Sequence, residues 1–77
     1  MDFIAISYNL PANPSRYRVA TWKTLKELGA IYLQPGVAIL PFSQEAEHAF
    51  LKLRDNIRSW NGKSALLTMK FQENADE

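Results

Sequence analysis

The chain has 77 residues, of which 47% are hydrophobic and 22% are charged, and its formal net charge is +1. This length fits one domain near the lower limit for independent folding, and this composition excludes a disordered or strongly charged tail as the main interpretation. The absence of cysteine excludes a disulfide framework and a thiolate metal site. There is no signal-like N-terminus and no apolar stretch approaching the ~18 residues of a membrane span, so we expect a cytoplasmic protein with no membrane partner.

The first predicted element is a strand at Phe3–Leu10, which is rich in β-branched and aromatic residues and is bounded by Pro11. Neither of its faces is strongly polar, which indicates a central strand that is covered on both sides. Alternation along the strand separates two sets of side chains: Ile4, Ile6 and Tyr8 on one face, and Phe3, Ala5 and Ser7 on the other.

A helix is predicted next. Asn13 and Ser15 are alternative N-caps for it, and it runs to about Leu28, with Gly29 suited to the left-handed conformation just past its end. Its first turn carries two arginines, where the helix dipole disfavours cations, and this placement suggests a binding role. The apolar residues predicted to share one face of this helix are Val19, Trp22, Leu25 and Leu28.

A β-hairpin and a second helix follow. Two short apolar runs, Ile31–Gln34 and Val37–Leu40, flank Pro35-Gly36, in which proline presets φ and glycine accepts a positive φ at the second turn position. The second helix is capped by Ser43 and ended by Asn61-Gly62. Its apolar positions keep the helical period: Ala46, Ala49, Phe50, Leu53, Ile57 and Trp60.

The last predicted strand is Ser64–Phe71, and its half-polar alternation fits the edge of a sheet. Residues 72–77 are acidic and are expected to be frayed. The order βαββαβ is that of the ferredoxin-like α+β sandwich, a four-stranded antiparallel sheet with two helices on one face and strands one and three in the middle. We expect residues 1–77 to form this single domain, with Trp22 and Trp60 as core anchors between the helices and the sheet.

The sheet face opposite the helices carries too few polar residues for a solvated surface. Phe3 or Ile4 and Val37 or Ala38 must point there, together with alternate residues of the outer strands. An exposed apolar patch of more than a few hundred Å² usually marks a contact surface. We therefore expect a homodimer, or a second domain of a longer protein, to cover this face.

Residue types that carry catalysis are sparse. Away from the second helix the acidic residues show no pair with metal-ligand spacing, and Glu45 and Glu47 point to different faces of that helix. His48 is the only histidine, is predicted on the outer side of the same helix and has no nucleophile pattern beside it. There is no glycine-rich phosphate loop, and the tyrosines lack the basic-glycine pattern of an RNA-reading sheet. The sequence therefore predicts no catalytic residue, no metal site and no cofactor.

The run from Ile6 to Pro41 resembles the N-terminal domain of the chromate-resistance protein ChrB family. That family carries a strand ending in Y-x-L-P, a P-S-R-x-R-V-x-x-W-x-x-L-K-x-L-G-A helix and a Y-L-Q-x-G-V-x-x-L-P hairpin. The corresponding segments here are Tyr8–Pro11, Pro14–Ala30 and Tyr32–Pro41. The resemblance covers residues 3–42 well, and the second helix and last strand by pattern only. It implies a module of a longer regulator of a chromate-resistance operon.

The same layout resembles the CRISPR-associated endonuclease of spacer acquisition and the similar domain of the phenylacetate-pathway repressor PaaX. In that nuclease an aspartate at the end of the first strand carries the metal-dependent activity. This chain has Asn9 there, and a neutral amide cannot supply the anionic ligand. The resemblance therefore favours a non-catalytic regulatory or dimerisation domain, and a divergent metal-dependent nuclease is the alternative.

The candidate binding residues lie at the start of the first helix and along it. Backbone N–H groups at a helix N-terminus, together with nearby arginines, can hold a DNA phosphate or a tetrahedral oxyanion such as chromate or sulfate. The residues predicted to bind nucleic acid or an oxyanion are Ser15, Arg16, Arg18, Lys23 and Lys26.

Overall fold

A computed structural model describes residues 2–70 of the chain. The elements are β1 (Asp2–Asn9), α1 (Arg16–Leu28), β2 (Ile31–Gln34), β3 (Val37–Pro41), α2 (Gln44–Ser59) and β4 (Lys63–Lys70). The predicted strand end at Phe71 and the predicted frayed tail at 72–77 lie outside the described residues. The four strands form one antiparallel sheet in the order β2-β3-β1-β4, so the predicted ferredoxin-like α+β fold is confirmed, with β1 and β3 central and β4 at an edge.

Both helices pack on the same face of the sheet, and the hydrophobic core lies between them and the strands. Alternate strand residues reach this face because side chains point to opposite sides of a strand in turn. The helix α2 supplies four buried residues and α1 supplies two, Thr21 and Leu25, so α1 contributes less to the core. The buried core residues are Ile4, Ile6, Leu10, Leu25, Ala38, Ala46, Phe50, Leu53 and Ile57.

The helix α2 forms as predicted because its local signals agree. The hydroxyl of Ser43 accepts a hydrogen bond from the Ala46 N–H at 2.9 Å, which satisfies one of the free donors of the first turn. Glu45 and Glu47 lie in that first turn, where the helix dipole favours carboxylates. Within residues 2–70, neither helix has the length and apolar character needed to cross a membrane.

The buried face of α1 differs from the one that the apolar spacing predicted. Thr21 and Leu25 are buried, whereas Val19 is 48% exposed and Leu28 also lies at the surface. Thr21 can be buried because its hydroxyl donates a hydrogen bond to the Tyr17 carbonyl at 2.9 Å, which leaves no unpaired polar atom. The helix is therefore rotated so that its threonine, and not Val19, faces the core.

The two tryptophans are not equivalent. The prediction of Trp22 as a core anchor was wrong, because its side chain is 47% exposed. Trp60 is half-buried, packs against the core and stacks on Tyr17 with ring centroids 4.7 Å apart. Trp60 thus joins the end of α2 to the first turn of α1, while Trp22 is available at the surface.

The Pro35-Gly36 turn of the hairpin is packed against the end of β1. Gly36 has a φ of 81°, the positive value that the turn prediction required. Its carbonyl accepts a hydrogen bond from the Tyr8 N–H at 2.8 Å. A Cβ atom on Gly36 would lie 2.7 Å from the Tyr8 carbonyl oxygen, so glycine is needed here for the close approach as well as for φ.

The sheet face away from the helices is apolar, as predicted. Its central row runs across all four strands, through Ile31, Ile39, Ala5 and Leu67, which are register partners. The two inner members are buried by their neighbours, but Ile31 is 64% and Leu67 is 54% exposed. Most of the described residues of this open sheet face are uncharged: Phe3, Ala5, Ser7, Ile31, Val37, Ile39, Pro41, Ala65, Leu67 and Met69. Lys63, which pairs with Asn9 at the start of β4, is on the same face by alternation and carries a charge.

Candidate functional site

A cleft of about 650 Å³ opens between α1, the end of β1 and the β2–β3 turn. Its walls come from three separate parts of the chain, which the sheet and the packing of α1 bring together. The Pro35-Gly36 turn closes one side. We call it the tyrosine cleft, and its aromatic and polar lining residues are Tyr8, Asn9, Arg18, Trp22, Tyr32 and Gln34.

The strand register brings the two tyrosines of the cleft together. Tyr32 pairs with Ala38 of β3, which pairs with Ile6 of β1, and Tyr8 lies on the same strand face as Ile6. Both phenol rings therefore reach the helix side of the sheet at its end. Their hydroxyl oxygens lie 2.6 Å apart and are hydrogen-bonded.

This hydroxyl pair determines which hydrogen bonds this wall of the cleft can form with a ligand. One hydroxyl proton is used between the two tyrosines, so one proton and the remaining lone pairs are available. Partial burial raises the pKa of Tyr8 well above its ordinary value, and the hydrogen bond between the Tyr8 and Tyr32 hydroxyls raises it further, while Arg18 acts in the opposite direction. The Tyr8 phenol is thus a neutral hydrogen-bonding group at physiological pH.

Arg18 and Trp22 form the helix side of the cleft. They are four residues apart on α1, which places them one above the other on the same side of the helix. Arg18 is the one charged residue among the described residues that line the cleft. One turn further along, the Lys26 ammonium lies 4.8 Å from the centroid of the Trp22 ring, a cation–π distance.

The five predicted binding residues do not form one surface. Arg18 lines the cleft and Lys26 lies against its tryptophan, on one side of α1. Arg16 and Lys23 are seven residues apart and share a different side, which is exposed to solvent. Their binding of nucleic acid or of an oxyanion stays a prediction.

The N-terminus of α1, predicted as a binding site, lacks a side-chain capping hydrogen bond. Ser15 occupies the N-cap position, but its side chain makes no capping hydrogen bond. The Arg16 guanidinium lies 5.0 Å from the centroid of the Tyr17 ring and donates a hydrogen bond to the Tyr17 hydroxyl at 3.3 Å. Arg16 is thus directed along the surface toward Tyr17, away from the group formed by Arg18 and Trp22.

Sequence reasoning missed the tyrosine pair and the position of Trp22. Alternation assigned Tyr8 to the same face as Ile6, which was correct, but the partner of Tyr8 depends on the strand register. Trp22 was assigned to the core from its spacing alone. The four-residue spacing between Arg18 and Trp22 could have indicated that the two side chains lie together, since residues at this spacing share one side of a helix.

The last residue of β1 carries an amide side chain. Asn9 is exposed and contributes to the wall of the cleft. Within residues 2–70, no group of three or more histidine, aspartate or glutamate side chains is positioned to hold a metal ion.

Comparison with known proteins yields a family match. The family model described as "Protein ChrB, N-terminal" matches residues 18–77, a span that begins in the first turn of α1 and includes the hairpin, α2 and β4. Comparisons with curated proteins and with solved structures found no match.

Proposed function

This chain belongs to the family of the ChrB N-terminal domain, and we propose from this that it is a non-catalytic regulatory domain of a chromate-resistance regulator. We propose further that it pairs with a second copy of itself through the open sheet face. The observation that carries the pairing is the exposure of Ile31 and Leu67 at the two ends of an uncharged row. The two residues are on opposite edge strands of one apolar sheet face, and exposed apolar surface on such a face supports a contact surface.

A second copy is the occupant that the chemistry of the face favours. In a two-fold dimer the same patch meets itself, so any charge near its centre would face a like charge. The central row of the open sheet face has no charged residue and avoids that cost, and Lys63 lies at the end of the face, at the start of β4. Four strands at ~4.8 Å spacing and about five residues at ~3.3 Å cover roughly 300 Å² per copy. The total of roughly 600 Å² is below a standard interface, so we expect weak, reversible pairing in the micromolar range or above.

Sedimentation velocity over a concentration series up to about 500 µM tests the pairing. The sedimentation coefficient should rise with concentration for the wild type and stay that of a monomer for Leu67→Lys. Val19→Lys is the matched control, because Val19 is about as exposed but lies on α1, away from the sheet. A wild type that is monomeric throughout, or equal effects of the two substitutions, would contradict the proposal.

We propose that the outer side of α1 contacts the DNA backbone. Arg16 and Lys23 are exposed on one side of this helix, and the helix as a whole carries four cations against one acid, Glu27. The whole chain has a net charge of only +1, so this positive charge is local. Cations arranged in this way attract phosphates without reading sequence, and such binding weakens with salt.

Fluorescence anisotropy with a labelled DNA duplex at several salt concentrations tests the DNA contact. Removing both cations, in Arg16→Gln with Lys23→Gln, should weaken binding and lower the slope of log affinity against log salt by about 2. Lys52→Gln, on the exposed side of α2, should leave both quantities unchanged. An unchanged slope in the double variant would count against this proposal.

The non-catalytic part of the proposal rests on Asn9. The purified chain should not cleave DNA or RNA in the presence of Mg²⁺ or Mn²⁺, because the end of β1 presents an amide in place of a carboxylate ligand. Cleavage that is stimulated by metal, co-purifies with the chain and disappears in a point variant of the chain would instead support the nuclease alternative.

A further inference from the structure

We propose that the tyrosine cleft binds a small aromatic monocarboxylate, with the ring between the aromatic side chains and the carboxylate at Arg18. Neither the pairing of the open sheet face nor the DNA contact of α1 uses this cleft. The inference therefore goes beyond the proposed function, and it stands on different residues.

The ring is indicated by the aromatic walls. Trp22 is 47% exposed, although a side chain of this size is usually well buried in a domain core. It faces a cleft whose opposite wall carries Tyr8 and Tyr32. Aromatic side chains from two sides of a cleft favour a planar partner, which can stack or pack edge to face with them.

The negative charge is indicated by Arg18. It is the one charged residue among those described that line the cleft, and no acidic side chain opposes it there. A guanidinium matches a carboxylate with two parallel hydrogen bonds. The Tyr8–Tyr32 pair can donate its remaining proton, and the Asn9 and Gln34 amides can donate more hydrogen bonds to the same group.

The single charge and the size of the cleft narrow the ligand class. Arg18 is the one cation among the described residues that line the cleft, and the Lys26 ammonium contacts Trp22 from outside that lining, so a nucleotide phosphate with two or more charges would be only partly compensated within the cleft. The cleft volume of about 650 Å³ lies in the range of sites for organic ligands. An inorganic tetrahedral oxyanion would leave most of it to water and would not contact the aromatic walls. An aromatic acid with one or two rings fits both observations.

The test titrates the chain with 2-naphthoate and follows the two tryptophan indole N–H signals by NMR. Trp60 stacks on Tyr17 outside the cleft, so its signal serves as an internal reference. The variant Trp60→Phe assigns the two signals. The Trp22 signal should shift and saturate with ligand, while the Trp60 signal should move little.

Three further probes separate the chemical requirements. The neutral 2-naphthamide keeps the rings and loses the charge, cyclohexanecarboxylate keeps the charge and loses the planar ring, and sulfate is an oxyanion without a ring. Each should bind at least about tenfold more weakly than 2-naphthoate, since each lacks one of the two recognised features. Adenosine monophosphate tests the nucleotide class and should also bind more weakly.

The variants locate the site. Arg18→Gln should weaken 2-naphthoate binding by about tenfold or more, because it removes a charge-assisted hydrogen bond. Arg16→Gln should change it by less than about twofold, because Arg16 lies against Tyr17 and outside the cleft. Since Arg16 belongs to the DNA proposal and Arg18 does not, the two proposals can fail separately.

Three results would overturn the inference. The first is an absence of any selective Trp22 shift at about 10 mM 2-naphthoate. The second is equal binding of 2-naphthoate and 2-naphthamide, or equal effects of Arg18→Gln and Arg16→Gln, since the charge recognition would then be absent. The third is tighter binding of adenosine monophosphate or sulfate than of 2-naphthoate, because that result would assign the cleft to a different ligand class.

Discussion

The hydroxyl oxygens of Tyr8 and Tyr32 lie 2.6 Å apart across 24 residues of chain. Tyr32 is in β2, an edge strand that pairs only with β3 in the sheet. Tyr8 is at the end of the central strand β1. The hydroxyl contact therefore links the edge strand β2 to the central strand β1 across β3. The same two tyrosines form part of the wall of the tyrosine cleft.

Tyr32→Phe removes this contact and should lower the free energy of unfolding by about 1 kcal/mol, because the partly buried Tyr8 hydroxyl loses its partner. The measurement is urea unfolding at constant m-value. Tyr17→Phe is the control, since it keeps the stacking on Trp60 and loses only an exposed hydrogen bond of 3.3 Å. We expect it to change the free energy by less than about 0.5 kcal/mol, and an equal loss in both variants would refute the argument.

Tyr8 should also make stability fall at alkaline pH. Burial and the hydrogen bond between the Tyr8 and Tyr32 hydroxyls raise its pKa in the folded chain, so above about pH 10 the unfolded chain releases this proton while the folded chain keeps it. The folded state then binds more protons, and the free energy of unfolding decreases as pH rises. Urea unfolding between about pH 8 and pH 11 should show a steeper decrease for the wild type than for Tyr8→Phe. Parallel pH profiles would contradict this assignment.

Alanine substitutions at two glycines with positive φ can distinguish the energetic cost of backbone strain from that of steric contact. Gly29 and Gly36 have φ values of 80° and 81°, but a Cβ on Gly29 meets nothing within 4 Å, whereas one on Gly36 lies 2.7 Å from the Tyr8 carbonyl oxygen. Gly29→Ala should therefore cost only the backbone strain, about 1–2 kcal/mol. Gly36→Ala should cost more, because the turn must also move away from β1. Equal losses of unfolding free energy in the two variants would show that the close approach has no energetic weight.

Trp22 and Phe50 should differ strongly despite their similar chemistry. Phe50 is fully buried in the core, and Phe50→Ala should destabilise the chain by about 3–5 kcal/mol. Trp22→Ala should cost about 1 kcal/mol or less, because Trp22 is half-exposed and its clear neighbour is the Lys26 ammonium. Thermal or urea unfolding measures both. A loss for Trp22→Ala as large as that for Phe50→Ala would restore Trp22 as a core anchor.

The success of the α2 prediction and the failure for the buried face of α1 have one physical explanation. In α2, the cap at Ser43 and the period of the buried residues are properties of the helix itself. In α1, the apolar set is small, and the choice between Val19 and Thr21 as a core residue depends on which rotation packs best on the sheet and α2. Thr21 could be chosen because the Tyr17 carbonyl satisfies its hydroxyl, which a count of apolar residues does not reveal.

The open sheet face and the tyrosine cleft also differ in how far the sequence could predict them. The apolar character of the open sheet face was predictable, because alternation assigns Phe3 and Ala5 to the face opposite Ile4 whatever the strand partners are. The tyrosine cleft was not, because it needs the register of β1, β3 and β2 to bring Tyr8 and Tyr32 together and the rotation of α1 to add Arg18.

The sequence by itself determined the order of elements, the turn at Pro35-Gly36, the cap at Ser43 and the apolar open face, since each follows from interactions within a few neighbouring residues. Only the tertiary structure decided that Trp22 is at the surface, that Arg18 lines the cleft, and that two tyrosines are hydrogen-bonded across the sheet. These features depend on strand register and helix rotation, which are set by the packing of the whole domain and are not encoded at any one position.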